Sequence, residues 1–270
     1  MSTNDLETTR RGAIGAMAAV GAMAASGVIQ SAHAQGAPKT FVLVHGAWHG
    51  GWCWRRVADQ LERKGHKVYA PTLTGLCDRS HLLTKDINVG THATDIANLV
   101  KWEGLKDIVL VGHSYAGFVV TEVAERIGGS IASIVYLDAF LPEAGENLLS
   151  LASPASRKGL EDAISKGELA VKPIPAAVFN VNEKDRAWVD AQCTPQPAGT
   201  FTDKTTGVSG REKVARKTYI RAAAYKSPSF DAGLAKAKAA AGWKTYEVPS
   251  GHDVMVDMPD RLVEILLEVA

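Results

Sequence analysis

The chain has 270 residues, a formal net charge of +1 and no basic stripe, so composition gives no support for nucleic acid as a partner. Its three cysteines, Cys53, Cys77 and Cys193, are too few for a disulfide framework and lack metal-ligand spacing. The sequence therefore predicts no metal site, and it does not say whether any two cysteines pair.

The N-terminus is set aside before the fold is read. Thr9-Arg10-Arg11 precedes a short Gly/Ala-rich apolar run that closes on Ala32-His33-Ala34. A charged start, a weakly apolar middle and small residues at the end form a secretory signal, and the paired arginines point to the twin-arginine route. The expectation is a signal over 1–34 and a single domain over 35–270, exported to the periplasm or beyond, with no membrane partner after cleavage.

Phe41-Val42-Leu43-Val44 is the first continuous apolar run of a strand buried on both faces. Segments 68–70, 108–111, 134–137, 217–220 and 244–248 repeat the pattern. Helical stretches lie between them, at 52–63, 91–102, 115–127, 230–241 and 259–269. Strands alternating with helices predict a doubly wound, mostly parallel α/β sheet. From about 141 to 200 the rhythm fails, with Pro154, Pro173, Pro175, Pro195 and Pro197 punctuating it and no convincing strand, and this insertion is read as a helical lid.

Three stretches carry chemistry. After the first strand comes His45-Gly46-Ala47-Trp48-His49-Gly50-Gly51, a glycine-rich turn able to aim backbone N–H groups at the crevice. After the third strand, Gly112-His113-Ser114-Tyr115-Ala116-Gly117 approximates the G-x-S-x-G nucleophile elbow, one residue out of register at its last glycine. A serine there is the expected nucleophile; a helix cap is the plainer alternative. After the last strand, Pro249-Ser250-Gly251-His252-Asp253 supplies His252 as the expected general base. The amides of Ala47 and Tyr115 are the expected oxyanion donors.

FVLVHGAWHGGWCW, VLVGHSYAGF and the late GHD resemble the α/β-hydrolase superfamily. More narrowly, they resemble its branch of plant methylesterases, plant hydroxynitrile lyases and bacterial carboxylesterases that cleave pyrethroid-type esters. The resemblance implies a serine hydrolase that needs no cofactor and takes a small-molecule ester. Its acid often follows the penultimate strand, where this chain reads Tyr219-Ile220-Arg221-Ala222-Ala223-Ala224-Tyr225 and has no carboxylate until Asp231. Asp138, ending the strand after the elbow helix, is the expected acid instead; capping the following segment is its alternative role. Gly46, Trp48, His49, His113, Phe140 and Trp188 are expected to shape the pocket. The plant lyases carry a threonine after the first histidine of the glycine-rich turn and a lysine after the catalytic histidine. Gly46 and Asp253 stand there, which favours an esterase. A lactone, amide or carbamate hydrolase keeps the same site, and a binding module on a degenerate hydrolase fold is the non-enzymatic alternative.

Overall fold

The computed structural model describes residues 37–270. The signal expected over 1–34 lies outside the described residues. Among the described residues, no helix is long and apolar enough to cross a membrane.

The described residues open with β1 (Thr40–Val44), a 3-10 turn over Gly51–Trp54, α1 (Arg55–Arg63) and β2 (Lys67–Tyr69). A 3-10 stretch, Cys77–Leu82, leads to α2 (Val89–Trp102), β3 (Ile108–His113), α3 (Ala116–Ile127) and β4 (Ile131–Leu137). Next come α4 (Leu148–Leu151), α5 (Pro154–Ser165), β5 (Ala170–Val171), α6 (Glu183–Gln192) and β6 (Gln196–Pro197). The chain then runs through α7 (Ser209–Lys213), β7 (Arg216–Ala222), α8 (Pro228–Ala239), β8 (Trp243–Val248), α9 (Val254–Asp257) and α10 (Pro259–Val269).

Among the described residues, six of these strands form one sheet in the order β2-β1-β3-β4-β7-β8, with every neighbouring pair parallel. All six residues of β3 are buried, which is why its sequence is a continuous apolar run rather than an alternation. Helices cover both faces through apolar stripes: Leu262, Val263, Ile265, Leu266 and Val269 of α10 recur at helical spacing and are all buried. Removing such a Leu, Ile or Val side chain from water contributes about 1.5–3 kcal/mol. Local signals fix several helix starts. Asn88 closes a capping box with Thr91, and Ser153 caps α5 with Pro154 in its first turn.

The chain moves from β1 outward to β2, then returns to place β3 on the other side of β1. This reversal opens a crevice at the carboxyl ends of β1 and β3, where open α/β sheets bind ligands. The glycine-rich turn leaves β1 at that point and the Ser114 elbow leaves β3.

The segment between β4 and β7 carries the short helices α4 to α7 and also the antiparallel ribbon β5–β6, pairing Ala170 with Pro197 and Val171 with Gln196. Two-residue strands so far apart in the chain leave no periodicity to read. The ribbon and its flanks hold Trp48 on three sides. The Trp48 amide donates to Gln196 Oε1 at 3.0 Å, its carbonyl accepts from the Thr194 amide at 2.9 Å, and its indole N–H donates to Val171 O at 3.0 Å.

Candidate functional site

Ser114 has φ +55°, Asp138 +41° and Trp48 +66°, a left-handed region that non-glycine residues rarely enter. Such conformations cost about 1–3 kcal/mol each and persist only where the surroundings hold them. At Ser114 those surroundings are the end of the neighbouring strand. Its N–H donates to Leu137 O at 3.2 Å, and its carbonyl accepts from the amides of Gly117 at 3.1 Å and Phe140 at 3.2 Å. Gly117 explains the displaced glycine of the elbow motif. A Cβ there would collide with the Phe140 carbonyl, whereas Ala116 fits buried one position earlier.

Asp138 follows directly from β4, and its N–H donates to Ile220 O at 2.6 Å. Its carboxylate is wholly buried and divided between two tasks. Oδ2 accepts from His252 Nδ1 at 2.6 Å, while Oδ1 accepts from Arg221 Nη1 at 2.7 Å and from the Ala222 amide at 3.0 Å. The bond to Asp138 assigns the Nδ1–H tautomer to His252 and leaves Nε2 as its free base. Asp231, by contrast, sits in the first turn of α8 with an exposed side chain paired to Arg221.

Ser114 and His252 line one cavity of about 450 Å³ together with Ala47, Trp48, Tyr115 and Phe140. Three aromatic rings surround the His252 imidazole. Phe230 stacks on it with centroids 5.1 Å apart, while Tyr225 and Phe179 lie at 4.9 and 5.2 Å. Tyr225 comes from the loop after β7, where the resemblance would place the acid.

Two histidines organise the glycine-rich turn. His45 Nδ1 donates to Gly46 O at 2.8 Å and its Nε2 accepts from the Leu73 amide at 3.0 Å. Burial pushes its pKa down to about 3, so the ring is neutral, as one donor and one acceptor require. The Gly46 carbonyl belongs to the peptide whose N–H is that of Ala47. In a trans peptide this N–H points away from the carbonyl that His45 fixes.

His49 Nδ1 donates to Ala47 O at 2.8 Å and its Nε2 lies 3.0 Å from Asp253 Oδ2. Both nitrogens face acceptors, so the ring carries two protons. Burial opposes that charge, but the Asp253 carboxylate and its hydrogen bond outweigh it and raise the His49 pKa. Burial likewise opposes the Asp253 charge, and His49 reverses this, holding the carboxyl well below the usual range. A buried ion pair thus joins the turn after β1 to the residue that follows His252.

Four residues expected in the pocket are not among those lining this cavity. Gly46 packs beneath Ser114 and against the His113 ring, with no side chain to offer. His49 turns back to Asp253. His113 is fully buried behind His252, donating from Nε2 to the His252 carbonyl at 3.1 Å. Trp188 packs edge-on against Trp52 at 5.0 Å, with the Arg56 guanidinium over its ring at 5.4 Å. Its sequence position could not show that α6 turns this ring away from the cavity.

Arg221 and Gln196 were missed by sequence reasoning. For Arg221 a signal existed, an arginine inside an otherwise buried strand, because such a charge requires a partner. For Gln196 there was none. His113, His252 and Asp253 bring one potential ligand atom each within 4.8 Å of one another. The hydrogen bonds of His252 Nδ1 to Asp138 and of His113 Nε2 to a carbonyl already account for much of that donor set.

The chain is 41% identical over 235 residues, 84% of its length and 97% of the relative's, to a carbendazim hydrolyzing esterase of a Nocardioides species. It is 34% identical over 107 residues to methylesterase 7 of Arabidopsis thaliana, covering 39% of this chain and 41% of that one. Its fold matches that of an extracellular alpha/beta-hydrolase from a Paenibacillus species, with a TM-score of 0.73 and 22% identity over 86% of this chain and 99% of the other. It also matches a pyrethroid hydrolase of Sphingobium faniae, with a TM-score of 0.67 and 20% identity over 85% and 96% of the two chains. Residues 41–265 match the alpha/beta hydrolase family, and the chain belongs to it.

Proposed function

We propose that the protein cleaves small carboxylic esters through Ser114, His252 and Asp138, by way of an acyl-enzyme. That the chain is a carboxylic-ester hydrolase follows from its 41% identity with an esterase over nearly that protein's whole length. The residues and the steps are our reading of the site. The observation that carries it is the 2.6 Å bond from His252 Nδ1 to a buried carboxylate, on a histidine that shares its cavity with a serine at a strained turn.

In this reading His252 Nε2 takes the proton of Ser114 as Oγ bonds to the ester carbonyl carbon. The negative oxygen meets the Ala47 and Tyr115 amides, each contributing about 3–4 kcal/mol by comparison with known oxyanion donors. Collapse breaks the bond to the alcohol oxygen, and His252 gives the proton to that leaving group. Water then repeats the sequence and releases the acid, so no cofactor enters. The aromatic rings around His252 exclude water from the imidazole and favour flat, apolar substrates. A cavity of about 450 Å³ falls within the usual range for small-molecule sites.

A second reading has one observation in its favour. The relative covered almost end to end is named for hydrolysing carbendazim, so the same site is proposed to accept that compound as well as simple esters.

The test is hydrolysis of short p-nitrophenyl esters and of carbendazim by the full chain beside Ser114→Ala. Turnover lost in the variant supports the serine mechanism. Turnover that Ser114→Ala retains, or ligand binding without turnover, removes it.

A further inference from the structure

The oxygen of Asp138 that does not face His252 is bound to a buried arginine. Arg221 is 3% exposed and lies on β7, the strand beside β4. Each of its guanidinium nitrogens has a partner. Nη1 donates to Asp138 Oδ1 at 2.7 Å and to Ala222 O at 2.6 Å, Nη2 to Tyr225 O at 2.6 Å, and Nε to Asp231 Oδ1 at 2.9 Å. A planar fork fixed at this many points cannot swing away from the carboxylate. The strand to which the resemblance assigns the acid here supplies a cation to an acid on its neighbour.

We propose that Arg221 is a positioning residue for the ester-cleaving site. It holds one oxygen of Asp138 so that the other meets His252, and it sets the pH at which the Asp138–His252 pair takes up a proton. This rests on the triad reading above. The electrostatic part follows from charge alone. An isolated buried carboxylate beside an imidazole favours the protonated ring. A cation touching the same carboxylate from the far side opposes that proton and leaves the ring free to act as a base at lower pH.

The other groups facing the pair do not replace this charge. From β3, the His113 ring lies 4.5 Å from that of His252, and burial keeps it neutral. From the loop after β7, Tyr225 lies 4.9 Å away, and burial raises its pKa and keeps its proton on. Asp253, the next residue in the chain, is paired with His49, which also bonds the turn after β1. From α8, Asp231 meets the guanidinium.

The experiment is the pH dependence of kcat/KM for p-nitrophenyl acetate with the full chain carrying R221Q or R221K, with S114A as control. Replacing Arg221 by Gln is expected to move the acid limb up by about one pH unit, with kcat lowered and KM little changed. In R221K the limb is expected near its wild-type pH with kcat still lowered, because a single ammonium replaces the fork. A folded R221Q enzyme whose acid limb stays at the wild-type pH overturns the proposal. Should R221Q not fold, R221K decides: lowered kcat at unchanged KM supports positioning, and kcat within twofold of wild type overturns it. Turnover surviving in S114A would instead sink the triad reading on which this rests.

Discussion

Asp138→Asn gives a sharp test because the structure dictates how the amide must sit. At Oδ1 the wild-type carboxylate accepts from two donors, the Arg221 guanidinium and the Ala222 N–H, neither of which can accept in return. The carbonyl oxygen of the introduced amide must occupy that side, so its NH2 faces His252 Nδ1. Two donors cannot share a hydrogen bond, and the imidazole escapes by moving its proton to Nε2. That is the nitrogen required to receive the proton of Ser114. The equivalent change in serine proteases lowers kcat about 10⁴-fold, which at 1.36 kcal/mol per factor of ten is roughly 5.5 kcal/mol of barrier. The amide keeps the volume and both bonds at Oδ1, so the variant is expected to fold. The assay is kcat and KM on p-nitrophenyl acetate, with circular dichroism to check folding. A folded D138N enzyme within tenfold of wild-type kcat would refute both the acid assignment and the tautomer argument.

Three further outcomes are expected. The His49–Asp253 pair stabilises the fold across a defined pH window. His49, raised above the ordinary 6.5, contributes fully below that value and loses its contribution as pH rises through the higher folded value. Asp253, lowered from 3.8, contributes above that value and loses it as pH falls through the lower one. Asp253→Asn should therefore cost about 3–5 kcal/mol between pH 4 and 6.5. Melting curves should show the gap from wild type narrowing as pH rises above 7, and a gap independent of pH would contradict the ion pair. Gln196→Ala strips the acceptor from the Trp48 amide, a cost of about 1–3 kcal/mol in urea denaturation; an unchanged midpoint would show that the ribbon does not hold the turn. Gly117→Ala should yield little folded protein, since its Cβ would strike the Phe140 carbonyl, and a normal yield with normal activity would mean the elbow is looser than described.

The strands and the elbow were legible because each depends on neighbours in sequence. A buried parallel strand is a short apolar run, and the β3–turn–α3 unit puts Ser114 at the strand's carboxyl end, although Leu137 and Phe140 at the end of β4 hold its backbone there. His252 was legible from its place after the last strand. Asp138 could be read from a carboxylate ending an apolar strand, although only the pairing of β4 with β7 puts Arg221 against it. The pocket was the weak point. Trp188 and His49 look like pocket residues by type, but an aromatic or histidine ring serves core and cavity equally well, and its direction depends on packing from elsewhere.

The parallel α/β order, the crevice at the ends of β1 and β3, and the arrival there of residues from separate loops are all encoded locally. They follow from hydrophobic runs and from turns whose strain a few residues tolerate. The partners those residues meet are settled only by long-range packing: Arg221 on Asp138, Asp253 on His49, and Gln196 on Trp48. These pairs span 83, 204 and 148 residues of chain. Each joins side chains or backbone groups whose desolvation must be offset by a specific partner, and no local pattern encodes the choice of that partner.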